Sequence, residues 1–237
     1  MPDPAAVNSM FGRIAHRYDL ANRVLSGGID IHWRSRLVSA VARWRPRNVL
    51  DVATGSGDVA LALARRLRSS ARIFGLDFCE PMLERAETRR VRREKLYSGV
   101  EFILGDACAI PMPEASFEAV TIAFGLRNFA DRARCLAEIR RVLQPDGRLH
   151  ILEFSRPWPW VRPVYSLYLR RVLPGLAGII AGDRRAYQYL GDTIGAFPGR
   201  EALSAEIAKA GFSAVSATPM TMGVVALHEA MRQPSLS

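Results

Sequence analysis

From Asn48 onward, short apolar runs alternate with stretches whose apolar residues recur at helical spacing. The runs are typical of buried strands, and the stretches between them are typical of amphipathic helices. The pattern predicts strands over 49–53, 71–76, 100–104, 117–124 and 148–154, and helices over 59–67, 80–95 and 131–143. Between the last helix and the last strand we expect a turn at 144–147, because Pro145 cannot continue a helix and Gly147 can take a positive φ.

Two segments depart from this strand–helix rhythm. Residues 1–48 place apolar side chains at helical spacing, which predicts an N-terminal helical cap. Residues 156–190 mix prolines and glycines with aromatic and basic side chains, which indicates an insertion after the fifth strand. Beyond it, a helix over 200–210 and an antiparallel pair over 212–219 and 224–231 bring the sheet to seven strands. The prediction is an α/β, Rossmann-like fold with a mostly parallel seven-stranded sheet and helices on both faces.

A single domain over residues 1–237 suits the composition, which is 49% hydrophobic and 24% charged and therefore excludes disordered and low-complexity proteins. The charge balance is less ordinary, since 33 Lys and Arg stand against 23 Asp and Glu, a net charge of +10. Nucleic acid, an acidic lipid surface and a phosphorylated metabolite are all compatible partners, because net charge governs association rather than fold.

The excess positive charge lies in the two departing segments. Residues 1–48 carry eight arginines and three acids, and residues 156–190 carry six arginines and one acid, so the remainder is balanced. In the second segment the arginines are interleaved with aromatic residues such as Trp158 and Trp160. Such a surface suits contact with an anionic membrane. An ordinary solvated cap over a binding site explains the same pattern, and both interpretations stay open.

The cysteines and the N-terminus bear on the cellular compartment. Cys79, Cys108 and Cys135 form no Cys-x-x-Cys pair, which argues against a zinc ribbon or a disulfide scaffold. The first residues lack the basic start and apolar core of a signal peptide. The longest neutral apolar run, 172–181, is broken by proline and glycine and has roughly half the length of a bilayer span. We therefore expect a cytoplasmic protein in a reducing compartment, at most in contact with the inner face of a bacterial membrane.

Three acidic residues lie at or near the ends of successive predicted strands. Asp51 precedes the glycine turn 54–57, which lets the backbone approach a ligand closely but also fits a dinucleotide site. A carboxylate at Asp51 suits an ammonium group, Asp77 suits a ribose diol, and Asp106 suits an adenine amino group. Each acid alone is equally well explained as a helix cap. Together, at one edge of the sheet, they predict S-adenosylmethionine as the ligand.

Further motifs fall into one family pattern. They are Ile14-Ala15-x-Arg17-Tyr18-Asp19, Phe124-Gly125-Leu126-Arg127-Asn128, Leu152-Glu153-Phe154-Ser155, Tyr187-x-Tyr189-Leu190 and Gly223-Val224-Val225-Ala226-Leu227-His228. From about residue 7 to residue 231, the chain resembles the class I S-adenosylmethionine methyltransferases. It is most similar to the quinone-biosynthesis C-methyltransferases of the demethylmenaquinone and 2-methoxy-6-polyprenyl-1,4-benzoquinol type. The resemblance implies the class I methyltransferase fold and methyl transfer to a ring carbon of a prenylated quinol.

Matching positions carry the family's donor site over to this chain. The resemblance implies that the donor contacts Ser56, Asp77, Asp106 and Ala107, in a site shaped by Asp51, Gly55 and Gly57. Family members often have a serine where this chain has Ala123, which removes one polar contact. Methyl transfer requires no metal, and the four histidines show no metal-site spacing.

The expected chemistry needs a nucleophilic ring carbon, which arises when a quinol hydroxyl loses its proton. The site must therefore hold a proton acceptor and a group that stabilises the phenolate. Arg127 and Asn128 follow the fourth strand, where donor and acceptor should meet. Arginine stays protonated, so we assign Arg127 to the phenolate or to ordering a water, with a surface ion pair as the simpler alternative. Tyr18 and Asp19, in the N-terminal cap, are candidates for substrate contact or for the base.

Two other functions are alternatives to the methylation of a quinol. An RNA methyltransferase would explain the basic charge, but the segment after the fourth strand holds neither an Asn-Pro-Pro-aromatic motif nor a nucleophilic cysteine, so we expect no nucleic-acid partner. A non-catalytic binding protein on the same fold is the other alternative. The ring type, the prenyl length and the oligomeric state stay open, with a homodimer as one option.

Overall fold

A computed structural model describes residues 12, 23–24, 26–172 and 184–233. Tyr18 and Asp19 lie outside the described residues. The described residues form one seven-stranded sheet in the order β3-β2-β1-β4-β5-β7-β6, in which β7 runs antiparallel to both of its neighbours. The strands are β1 (Asn48–Val52), β2 (Arg72–Asp77), β3 (Val100–Leu104), β4 (Phe117–Ala123), β5 (Leu143–Phe154), β6 (Phe212–Met220) and β7 (Val225–Arg232). The predicted α/β fold and its mostly parallel seven-stranded sheet are therefore confirmed.

Seven helices are described: α1 (Ile29–Ala42), α2 (Asp58–Leu67), α3 (Glu80–Val91), α4 (Arg132–Val142), α5 (Arg162–Leu167), α6 (Arg184–Ala196) and α7 (Arg200–Lys209). Apolar residues of α1 and α2 pack in one buried cluster on one face of the sheet, and those of α4 and α7 pack in a second cluster. The strand order reverses between β1 and β4. In open α/β sheets such a reversal opens a crevice at the carboxyl ends of the strands, where ligands bind.

Local chemistry sets several element boundaries. The Asp131 side chain accepts a hydrogen bond from the Arg134 amide at 3.0 Å and so caps the start of α4. The helix predicted over 80–95 is shorter in the structure. It ends at Val91, as α3, and a separate 3₁₀ turn, Glu94–Leu96, follows.

Residues 144–147, predicted as a turn before the last strand, lie within β5, where the register with β4 shifts between Phe117 and Ala119. Asp146, rather than Gly147, takes the left-handed conformation, with φ of 62°. Gly147 is required for a different reason, since a Cβ there would lie 2.7 Å from the Gln144 carbonyl oxygen.

Both predicted appendages are partly described. The predicted N-terminal cap contains the helix α1, in which Trp33 and Leu37 are buried. The insertion holds α5, a π turn over Tyr168–Val172 and most of α6, which extends past the predicted limit of 190 to Ala196. Among the described residues, no helix has the length and hydrophobicity that crossing a bilayer requires.

Cys108 and Cys135 form a disulfide that joins the loop after β3 to α4, whereas Cys79 is not part of a disulfide. The cysteine spacing gave no sign of this pairing. Disulfide formation depends on proximity in the fold, here a Cα–Cα distance of 4.1 Å, and not on a Cys-x-x-Cys motif. Disulfides are rare in reducing compartments, so the cysteines no longer support the prediction of a reducing compartment.

Candidate active site

A pocket with a polar wall, termed the polar pocket, lies at the carboxyl ends of β1, β2 and β4. Its lining includes Asp51, Thr54, Gly55, Ser56, Asp77, Ala123 and Asn128. The glycine turn between β1 and α2 forms one side, with φ of 56° at Gly55 and 80° at Gly57. A Cβ at Gly57 would also lie 2.8 Å from the Phe102 ring. Glycine is needed at these positions for the left-handed backbone that brings the turn against a ligand.

Asp51 is buried at the wall of the polar pocket. Its two carboxylate oxygens accept hydrogen bonds from the Thr54 hydroxyl at 2.7 Å and the Thr121 hydroxyl at 2.5 Å. Burial raises the pKa of Asp51 to about 6, against the opposing effect of both threonines. Asp51 is therefore a carboxylate at neutral pH that is held by neutral groups.

Asp77 is the last residue of β2 and lines the same pocket. Its carboxylate accepts hydrogen bonds from the Gly55 amide at 2.7 Å and from the Cys79 amide at 3.0 Å. Burial raises the pKa of Asp77, and these amides act in the opposite direction. Two buried carboxylates whose partners are neutral fit a ligand that brings positive charge and hydroxyl groups, which is the chemistry of S-adenosylmethionine.

Not every predicted donor-site residue reaches this pocket. Ser56 is buried in its wall and is hydrogen-bonded by Arg89. Asp106 is exposed, and its carboxylate accepts from the Cys108 amide at 2.9 Å in a local turn. Neither Asp106 nor Ala107 lines the polar pocket as described. Their contact with the adenine group stays a prediction.

Arg127 is buried in a 3₁₀ turn after β4. Its guanidinium forms a salt bridge with Glu153 at 3.0 Å, and the carboxylate also accepts from the Arg127 amide at 3.3 Å. The guanidinium further donates to the Phe124 carbonyl and lies 5.3 Å from the centre of the Phe154 ring. An ion pair was the simpler alternative for Arg127, but this pair is buried rather than on the surface. It fixes the arginine in one orientation at a cavity wall.

That cavity, termed the apolar cavity, has a volume of about 600 Å³ and lies between α1 and the insertion. Its lining is mainly aromatic and aliphatic, and includes Trp33, Phe124, Phe154, Val161, Tyr165, Leu169, Ile194 and Val224. The rings of Phe124 and Phe154 lie 5.0 Å apart, and those of Trp33 and Phe124 lie 5.9 Å apart. A cavity of this composition fits an apolar ring and the start of a hydrocarbon chain.

The apolar cavity and the polar pocket share a wall. Phe124 and Arg34 line both, with the Arg34 guanidinium 5.3 Å from the ring centre of Phe124. The adjacent pair Arg127 and Asn128 divides between them, since Arg127 lines the cavity and Asn128 lines the pocket. The Tyr189 phenol donates to the Asn128 side-chain oxygen at 3.3 Å. The segment 124–128 therefore forms the boundary between a polar and an apolar compartment.

Sequence reasoning gave no role to four residues of this arrangement. Glu153 and Tyr189 lie in the family motifs, but no role was given to either. Arg34 was missed because helical spacing alone does not say which polar residue of α1 faces a pocket. Tyr165, an aromatic residue of the insertion, lines the cavity, and burial raises the pKa of its phenol.

The chain matches the model of the ubiE/COQ5 methyltransferase family over residues 2–232. It is 48% identical over 220 residues to the demethylmenaquinone methyltransferase of Thermus thermophilus, covering 92% of this chain and 98% of that protein. It is 40% identical over 225 residues to the ubiquinone/menaquinone biosynthesis C-methyltransferase UbiE of Methylobacterium nodulans, covering 94% of this chain and 88% of that protein.

Solved structures with lower identity share the fold. An S-adenosylmethionine-dependent methyltransferase from Thermotoga maritima superposes with a TM-score of 0.65 at 18% identity, covering 95% of this chain and 99% of that chain. The cyclase SpnF superposes with a TM-score of 0.67 at 18% identity, covering 98% and 97%. These likenesses concern the fold alone, since one fold carries several chemistries. The family match spans nearly the whole chain, and with the geometry above it shows that this protein belongs to the ubiE/COQ5 methyltransferase family.

Proposed function

We propose that this enzyme transfers a methyl group from S-adenosylmethionine to a ring carbon of a prenylated quinol, either demethylmenaquinol or 2-methoxy-6-polyprenyl-1,4-benzoquinol. One observation carries the proposal: the apolar cavity shares the wall Phe124 and Arg34 with the polar pocket. A charged donor and an apolar acceptor can thus meet without either entering the other's compartment. The names of the relatives from Thermus thermophilus and Methylobacterium nodulans point the same way.

The polar pocket is the proposed donor site. Asp77 would bind the ribose diol and Asp51 the ammonium group, while the turn at Gly55, Ser56 and Gly57 lies against the amino-acid part of the donor. Asp106 and Ala107, at the next strand end, are proposed to contact the adenine. The donor supplies an electrophilic methyl group on a positively charged sulfur. Both buried carboxylates favour that charge.

In the apolar cavity, the quinol would lie against Phe124 with its hydroxyl toward Arg127. Loss of the hydroxyl proton places electron density on the neighbouring ring carbon, which forms the new bond to the methyl group as the bond from methyl to sulfur breaks. Transfer of the ring proton to the base or to water then restores the aromatic ring. Arg127, fixed by Glu153, stabilises the phenolate, and Asn128 orients the reacting groups at the boundary. Tyr18 and Asp19 are the proposed substrate contacts or base in the N-terminal segment.

The cavity also bears on the class of acceptor. Its aromatic and aliphatic lining favours a prenylated quinol over RNA, whose phosphates and bases require charged and polar partners. Trp158 and Trp160, 44% and 66% exposed, lie on the same insertion and support the proposed contact of this segment with a membrane.

The choice between the two rings is tested by a substrate comparison. Purified protein is incubated with methyl-labelled S-adenosylmethionine and, separately, with each quinol at equal concentration in detergent. We expect labelled product to form faster from demethylmenaquinol than from the benzoquinol, in keeping with the name of the 48% identical relative. Label incorporated into neither quinol, with donor binding intact, would contradict the proposed acceptor.

A further inference from the structure

A third depression, which is strongly basic, lies beside α1. This basic groove has a volume of about 750 Å³ and is bordered by α1, α2, the end of α3 and the residues that follow it. Seven arginines and two aspartates line it. The groove adjoins the apolar cavity, because Asp30 and Arg34 line both, whereas Trp33 lines the cavity alone.

The charges in the basic groove do not balance. Asp30 pairs with Arg34, and Asp58 pairs with Arg89 at 2.6 Å. Within the described part of the chain, no salt bridge reaches the five other arginines, all of them exposed: Arg23, Arg65, Arg66, Arg92 and Arg93. Like charges concentrated in one depression repel one another and favour the binding of a compensating anion. Guanidinium groups are the side chains best suited to bind phosphate oxygens.

The location of the groove indicates the kind of anion. Exposed apolar residues, Val24, Ile29 and Ile31, stand at the start of α1 between the groove and the apolar cavity. Val164, which is 71% exposed, also lines the apolar cavity, and Leu167, which is 53% exposed, lies in the same helix α5. Basic and apolar surfaces therefore adjoin each other at the cavity. A bilayer with anionic head groups offers phosphates and hydrocarbon in the same arrangement.

We propose that the basic groove docks the phosphate groups of an anionic lipid bilayer and holds the mouth of the apolar cavity against that bilayer. The proposal rests on the proposed function, because a prenylated quinol resides in the lipid phase and must enter the cavity from there. It also moves the expected membrane contact. The arginines at 65, 66, 92 and 93 belong to the part of the chain whose charges balance in the sequence, and only the fold gathers them in one groove.

The test is co-sedimentation of the full chain with vesicles that contain no quinol. Two vesicle types are compared, phosphatidylglycerol mixed with phosphatidylcholine, and phosphatidylcholine alone. The groove variant is R65Q/R66Q/R92Q/R93Q. The matched control, R45Q/R47Q/R72Q/K209Q, removes the same charge from exposed positions outside the groove. Thermal melting and binding of S-adenosylmethionine verify that both variants are folded.

We expect the wild-type chain to bind the anionic vesicles at low salt and to release them at high salt. The groove variant should bind at least about tenfold more weakly, while the control variant changes less than about twofold. Equal weakening of both variants would overturn the groove as the site. So would release of the protein by inorganic phosphate but not by chloride at equal ionic strength, which would assign the groove to a soluble phosphate ligand. Because the readout is binding without quinol, a failed docking surface is distinguished from a failed acceptor assignment by turnover in detergent.

Discussion

The two compartments of the active site are built from different parts of the chain. The polar pocket is formed by strand ends and a glycine turn, and its carboxylates are held by hydroxyls and backbone amides. The apolar cavity is lined mostly by residues of α1, of the segment just before it and of the insertion, together with the rings of Phe124 and Phe154 at the strand ends. The donor site thus belongs to the sheet, which many proteins share, whereas the acceptor site belongs to the appendages. Specificity for the acceptor can therefore vary without disturbing the donor.

The boundary between the compartments gives the largest expected effect. Replacing Arg127 with alanine removes the proposed partner of the phenolate, so kcat should fall by about 10² to 10³, while the Kd for S-adenosylmethionine changes less than about twofold. Steady-state kinetics and calorimetry separate the two quantities. A normal kcat would show that Arg127 has no part in the reaction.

A control is needed because Arg127→Ala leaves Glu153 as an unpaired buried charge. Both side chains are almost wholly buried, and breaking such a pair costs about 3 to 5 kcal/mol of stability. The double variant R127Q/E153Q removes both charges and should melt closer to the wild type. If the charge of Arg127 acts on the substrate, this double variant should show the same fall in kcat as Arg127→Ala.

The donor side is tested by Asp77→Ala. This change removes the acceptor for the ribose and also the carboxylate that holds the Gly55 amide at 2.7 Å. We expect the Kd for S-adenosylmethionine to rise about hundredfold, or about 3 kcal/mol, as for loss of charged hydrogen bonds. Asp106→Ala serves as the comparison, and its effect should be smaller because Asp106 is exposed. An equal effect of both changes would mean that the two acids hold the donor equally.

The pKa of Asp51, about 6 in the donor-free protein, predicts a pH dependence of donor binding. The ammonium group favours the carboxylate, so protonated Asp51 must lose its proton before the donor binds. Affinity should therefore be constant above about pH 7 and fall up to about tenfold per pH unit below about pH 6. Calorimetry between about pH 5 and about pH 8 measures this slope. Asp51→Asn should bind weakly at every pH, and a slope that persists in this variant would assign the titration to another group.

The smallest effect concerns the orientation of Asn128. Tyr189→Phe removes the phenol that donates to the Asn128 side chain at 3.3 Å but keeps the ring. We expect kcat to fall about fivefold, the equivalent of about 1 kcal/mol for one hydrogen bond, with KM for the quinol nearly unchanged. A rise in KM without a change in kcat would instead make Tyr189 part of the acceptor wall.

These two compartments also differ in how far the sequence predicted them. The acids Asp51 and Asp77 could be placed because buried strands have a clear pattern and parallel strands end at one edge of a sheet. The apolar cavity could not be placed, because its residues come from segments that are distant in sequence and have no regular period. The Arg127–Glu153 pair shows the same limit, since it joins two strand ends and depends on the sheet register. Position 147 shows a further limit, since the sequence predicted a positive φ at this glycine, whereas the structure needs glycine there because a Cβ would contact the Gln144 carbonyl oxygen.

The central claim is that the two compartments join at the segment 124–128 so that a methyl group reaches a ring carbon. The most direct test uses S-adenosylmethionine with a ¹³C-labelled methyl group, demethylmenaquinol in detergent, and nuclear magnetic resonance of the extracted product. We expect the labelled methyl to be bonded to a ring carbon, and Arg127→Ala to slow the appearance of this signal by about 10² to 10³ without loss of donor binding. A product with the label on a quinol oxygen, or donor binding with no labelled quinol at all, would contradict the claim.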